Sequence, residues 1–137
     1  MSTMRFARRV FLVAGVYGVL VMLPQYFTEA RLGRDYPPAV THPEFYYGFV
    51  GVTLAWQVLF LTIAADPARL RPAMLPAVLE KVSFAVAAPV LYATGRAPGL
   101  LAGFGAVDAV WAVLFAVAYV RTRYATASGP PPVGGRS

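Results

Sequence analysis

A chain of 137 residues that is 58% hydrophobic and only 13% charged is too apolar for an ordinary soluble domain, so lipid is its expected solvent and its length allows one domain. Its twelve Lys and Arg against six acids could suit nucleic acid, yet they form no basic stripe and gather instead just outside apolar segments. The absence of cysteine removes disulfide frameworks, thiolate metal sites and cysteine nucleophiles.

In chain order, Arg5, Arg8 and Arg9 precede a charge-free run from Val10 to Thr28. The run is about the twenty residues needed to cross hydrocarbon at 1.5 Å rise per residue. Thr28-Glu29-Ala30 stands where a signal peptidase would cut, but the run is longer than a signal-peptide core and bulky Tyr26 and Phe27 crowd the site. An uncleaved span over about 6–27 is therefore expected, with Ala14 and Gly18 as a close-packing site. A proline-bearing loop from Glu29 to Glu44 follows, carrying His42, the one histidine. With Asp35 and Glu44 it could supply three ligands, but the spacing matches no known metal site, so no metal and no cofactor is expected.

The second span, 45–65, is also free of charge. Gly48, Gly51, Ala55 and Thr62 form a small-residue stripe suited to close packing, with Gln57 on the opposite side as hydrogen-bonding glue for another helix or subunit. A short turn carrying Arg69 and Arg71 leads to a third span, 75–94, interrupted by Glu80 and Lys81. The brief Arg96-Ala97-Pro98-Gly99 turn leads to a fourth, 100–120, interrupted by Asp108. Short connections make consecutive spans antiparallel neighbours, so the expected fold is an all-α four-helix membrane bundle over 1–124. The 125–137 stretch, rich in glycine and proline, cannot bury apolar surface and reads as a disordered tail.

Three arginine clusters fall on one side of this plan, which the positive-inside rule makes the cytoplasm, so both termini are expected there. Aromatic residues agree: Tyr26, Phe27, Phe45, Tyr46, Tyr47 and Tyr92 mark the outer surface, and Tyr119 and Tyr124 the inner one.

Asp108 is the costliest residue, because it lies about midway between Arg96 and Arg121, roughly 18 Å from either and near the bilayer centre. An aspartate there costs about 2.5 to 3.5 kcal/mol on an insertion scale, while the Leu, Val and Phe of its span return about 3 to 6. Counting from the turn puts Lys81 roughly 24 Å and Asp108 roughly 16 Å away, a gap that a lysine side chain largely spans. Lys81 shares a face with Ala85 and Ala88, and Asp108 borders Gly105, Ala109, Ala112 and Ala116, so both charges point toward a helix contact. Glu80 lies about 100° around the helix, beside Ser83, Phe84 and Ala87, facing a cavity or a second chain.

Two functions compete for these charges. Either Lys81, Asp108 and Glu80 form a buried network that fixes helix register in a structural or accessory protein, packed with itself or a larger complex. Or Glu80 and Asp108, with Lys81 and Trp111, bind a proton or ligand in the cavity of a transporter or lipophilic-ligand binder. An enzyme is the least favoured class, since no phosphate loop, nucleotide fingerprint or hydrolase elbow is present.

The stretches RDYPPAVTHPEFYYGFVG, LEKVSF and DAVWAVLFAVAYVRTR, in a chain of this plan, resemble small bacterial four-helix membrane proteins. The size and plan are similar to the DoxX-like group and, more distantly, to emopamil-binding-like sterol isomerases, which use acidic residues in a membrane cavity. The resemblance implies a bacterial inner membrane with lipid as the immediate partner. It transfers no catalytic residue, because no motif of either group is matched position by position.

Overall fold

The computed structural model describes residues 2–127. Helix α1 spans Thr3–Met22, opened by Ser2, whose Oγ accepts the backbone N–H of Arg5 at 3.3 Å. A 3-10 turn, Leu23–Phe27, with Pro24 at its start, extends it. A short helix absent from the sequence reading, α2, occupies Glu29–Asp35 in the long loop, with Arg31 and Asp35 one turn apart and paired at 3.4 Å. Helix α3 spans Pro43–Ala65, α4 spans Met74–Ala93 and α5 spans Gly99–Ala127. Among the described residues, four segments are long and apolar enough to cross a membrane: Thr3–Phe27, Pro43–Ala65, Arg71–Ala93 and Gly99–Tyr124. The chain is an all-α four-helix bundle of the form a multi-pass membrane protein takes, with Leu20, Val52, Val86 and Val113 among many apolar side chains turned outward.

The turns are set by local chemistry. Asp66 Oδ1 accepts the N–H of Arg69 at 3.2 Å and its carbonyl accepts that of Leu70 at 3.1 Å, which closes the α3–α4 corner. At the other corner Gly95 adopts φ +70°, Arg96 N–H reaches back to Leu91 O at 2.8 Å and Gly95 N–H to Tyr92 O at 3.0 Å. This paired helix stop needs a left-handed residue, which glycine supplies without strain, and it reverses the chain within five residues of α4. Helix α5 runs about two turns past Val120 and takes in three residues expected to belong to the tail. The remainder of that tail, 128–137, lies outside the described residues.

Around the bundle the order is α3, α1, α5, α4. The close pairs are α4 with α5, α1 with α3, and α1 with α5, whereas α3 and α4 barely touch. The expectation that a short turn makes α3 and α4 close neighbours fails here. Helix α1 packs against both α3 and α5, whereas α3 and α4, joined through a corner that contains the 3-10 turn Arg71–Ala73, barely meet.

The three arginine clusters do gather at one end, called the basic end. Arg8 reaches Ala65 O at 3.4 Å, Arg71 donates to Tyr119 O at 3.1 and 3.2 Å while lying over the Tyr119 ring, and Arg121 lies over Phe6. The half of the bundle next to it is solid. Phe11, Phe60 and Phe115 are fully buried, with Phe11 stacked on Phe115 at 4.2 Å between centroids and Phe60 edge-on to Phe115 at 4.9 Å. Ala7, Met74, Ala77 and Ala118 fill in around them. Three rings meeting in this way exclude water and fix the distance between α1, α3 and α5.

The small-residue stripes divide. On α1, Ala14, Gly15 and Gly18 are buried, and on α5 a Cβ placed on Gly105 would lie 2.8 Å from the Cβ of Ala88, so these glycines set the close approaches. The stripe on α3 corrects its expectation: Gly48 has nothing within 4 Å, Ala55 and Thr62 are exposed, and Gly51 meets only the Tyr26 hydroxyl. The packed face of α3 is instead Val50, Gln57, Phe60, Ile63 and Ala64. With lipid outside, a small side chain gains nothing by facing inward unless a partner backbone comes close, and the bulky face fills the core better.

Candidate functional site

The half of the bundle opposite the basic end is hollow. A cavity of about 610 Å³ lies among all four long helices, within the range of small-molecule sites. Its walls are Tyr17 and Gly18 of α1, Phe49, Thr53 and Gln57 of α3, Phe84 of α4, and Leu101 and Phe104 of α5. Leu32 and the Arg31–Asp35 pair of α2, with Tyr36 just after it, complete the lining. Helix α3 holds this end in place: the Tyr46 hydroxyl donates to Gln25 O of the 3-10 turn at 2.7 Å, and the Tyr47 hydroxyl donates to Glu29 of α2 at 2.6 Å. Phe49 and Phe84, with ring centroids 6.5 Å apart, face each other across the loose α3–α4 seam.

Glu80, Lys81 and Asp108 line the cavity at the boundary with the solid half. Lys81 Nζ donates to Asp108 Oδ1 at 3.3 Å, lies 3.4 Å from Glu80 Oε2 and sits 5.3 Å from the centroid of the Phe60 ring. The lysine side chain is 7% exposed and each carboxylate side chain 15%. One ammonium therefore serves two carboxylates, one from its own helix and one from α5. The pairing across the α4–α5 turn follows the count along the helices, since Gly105 against Ala88 and Pro89 draws the helices together.

Glu80 is not the solitary charge that its helical phase implied. The flexible lysine stem swings toward it, and both face the same cavity. Its Oε2 is close enough for an ion pair, yet it has no aligned hydrogen-bond donor among the described residues.

Trp111 does not line the cavity. It lies to one side, against Tyr17 at 6.0 Å and Phe115 at 6.3 Å, and its buried Nε1 has no acceptor among the described residues. One turn along α5 from Asp108, its phase directs it toward α1.

Gln57 is the residue that sequence reasoning underrated. It is 1% exposed, donates from Nε2 to Thr53 O of its own helix at 3.0 Å and presents an Oε1 with no donor among the described residues. Its carboxamide fits because Gly18 has no side chain; a Cβ there would collide with it. The available signal was a lone amide in a charge-free span, with a glycine in the preceding span. Tyr17, Thr53 and the α2 residues carried no comparable signal, because they reach the cavity only through tertiary packing.

The loop carboxylates and histidine do not assemble. His42 Nδ1 lies 3.2 Å from Glu44, while Asp35 is taken by Arg31, and no group of three or more metal-ligating side chains occurs among the described residues. No family model, curated protein or solved structure matches the chain.

Proposed function

We propose that this chain is a multi-pass protein of a bacterial inner membrane, with both termini cytoplasmic, that binds a lipophilic small molecule in the hollow half of its bundle. The observation that carries this reading is the cavity itself: about 610 Å³, walled mainly by aromatic and aliphatic side chains, with convergent polar groups at one end. A protein whose charges served register alone would gain by closing around them, because an unfilled volume forfeits packing contacts. Binding is favoured over transport because the fully buried Phe11, Phe60 and Phe115 block any passage toward the basic end.

The structural or accessory reading has one observation in its favour. The Lys81–Asp108 pair joins α4 to α5 and would set their register whatever the cavity holds.

The two readings separate on Thr53→Phe, which grows into the cavity from α3. Native mass spectrometry of the chain released from its own membrane should show a bound small molecule, lost in the variant, while the melting temperature holds or rises. A wild-type chain that emerges empty, and that gains no stability from any of a panel of lipophiles, would leave the structural reading standing alone.

A further inference from the structure

Seven arginines in three clusters stand at the basic end against one acid, Asp66, whose Oδ1 already accepts the N–H of Arg69. At the opposite end Arg31, Arg34 and Arg96 are balanced by Glu29, Asp35 and Glu44, so the excess of positive charge is concentrated beside the aromatic core.

Three of these arginines are held in place, each at a different seam. Arg8 of α1 reaches the last carbonyl of α3, Ala65 O, at 3.4 Å. Arg121 of α5 lies over the Phe6 ring of α1, 4.9 Å from its centroid. Arg71, which opens the 3-10 turn before α4, donates Nε and Nη2 to Tyr119 O of α5 at 3.2 and 3.1 Å and lies 3.9 Å from the centroid of the Tyr119 ring. The seams so marked are the three close ones, α1–α3, α1–α5 and α4–α5.

What holds these side chains is a carbonyl or a ring and not a carboxylate, for none of the three is ion-paired among the described residues. Their charge is uncancelled, and Arg71 keeps three of its five N–H donors. The positive-inside rule accounts for the sign of the charge at this end but is indifferent to where a guanidinium points. Carbonyls and rings that fix the fork in advance lower the ordering cost of binding an anion. All three lie within two turns of the end of a span, the depth at which lipid phosphates stand.

We infer that the basic end binds the headgroup of an anionic phospholipid, whose phosphate is taken up by the guanidiniums that Arg8, Arg71 and Arg121 present at the helix seams. A zwitterionic headgroup brings its own ammonium and leaves the excess charge unmatched. A soluble anion matches the charge, but the same helices turn Leu12, Leu75 and Val120 outward close to these arginines, and an acyl chain covers those side chains where an ion does not. The cavity takes no part, so the inference stands or falls separately from the ligand it holds.

The test places the full chain in nanodiscs of phosphatidylglycerol and phosphatidylcholine in equal amounts, with the same acyl chains, and counts by native mass spectrometry the lipids retained as the protein is released. Phosphatidylglycerol should be enriched among them, less so at high salt. One arginine at an anionic surface corresponds to about a fivefold change in occupancy, so Arg71→Gln and, independently, Arg8→Gln should each lower the enrichment by up to about that factor. Arg71→Lys keeps the charge but cannot fork a carbonyl, and should lose most of what the Gln variant loses. Arg34→Gln makes the same change of charge at the opposite end and should leave the enrichment as it is. Arg8→Gln keeps the test open should the Arg71 variants fail to fold, and the arginines left in each variant still supply the charge bias that orients the chain.

Retained lipids that match the bulk mixture overturn the inference. So does an Arg34→Gln loss equal to that of Arg71→Gln, which would make net charge the cause, or full enrichment in Arg71→Lys, which would leave no fixed site. In detergent, a melting temperature raised as much by glycerol 3-phosphate as by phosphatidylglycerol would assign the arginines to a soluble phosphate instead of a lipid.

Discussion

Removing the ammonium of Lys81 would leave Glu80 and Asp108 as two buried carboxylates at one spot with no counter-charge. Breaking a buried pair in this way costs about 3 to 5 kcal/mol, so Lys81→Met should lower stability by an amount of that order, read as a fall in the unfolding midpoint in detergent. Asp108→Asn should cost distinctly less, because Lys81 keeps Glu80 as its partner and the amide oxygen can still accept. A Lys81→Met protein that unfolds with the wild type would mean that the three charges are solvated and not a buried network. At this scale the sequence was partly legible. Rise per residue alone brings Lys81 within reach of Asp108. The ion pair with Glu80 depends on where a four-carbon stem turns, and helical phase does not determine that. Gln57 was harder still, because an amide in an apolar span looks the same whether it joins two chains or lines a cavity.

Among the elements, glycine acts only where another helix comes close. At Gly105 a larger side chain would press on Ala88 and Pro89 and spread α4 from α5. Gly105→Val should therefore destabilise by about 1 to 3 kcal/mol, the usual effect of overfilling a tight contact, and should loosen the Lys81–Asp108 bond along with it. Gly48→Val is the matched control: it adds a side chain where nothing lies within 4 Å and should leave the unfolding midpoint close to wild type. If both variants behaved alike, the α4–α5 contact would not depend on Gly105. The sequence contains both small-residue stripes in equal clarity. Only the packing distinguishes them, since in lipid a face of alanine and glycine has no intrinsic preference for the interior.

For the molecule as a whole, the division into a solid half and a hollow half runs parallel to the charge asymmetry. The aromatic core lies beside the arginine clusters, and the cavity lies toward the end that carries α2, Tyr46 and Tyr47. If the positive-inside rule governs, the cavity faces the outer half of the bilayer. A chain without native cysteine makes this simple to check. Cysteine placed at exposed Ala68, in the basic-end corner, should react with a membrane-impermeant maleimide only after the membrane is opened, while cysteine at exposed Thr41 should react in intact cells. The reverse pattern would turn the protein over and place the cavity on the cytoplasmic side.

Apolar length and the placement of arginine, read along one dimension, determine that there are four membrane-length helices and that three basic clusters share an end, because a membrane constrains each span separately through hydrocarbon thickness and charge. Which face of each helix turns inward, that α3 and α4 stand apart, and that Gln57 joins Glu80, Lys81 and Asp108 around one space were decided by tertiary structure alone. Those outcomes depend on shape: three phenylalanines fit together at one end, a glycine on α1 leaves room for an amide on α3, and a glycine on α5 closes the α4–α5 seam while the α3–α4 seam stays loose. Complementarity of this kind is a property of pairs of surfaces, and no single helix carries it in its hydropathy.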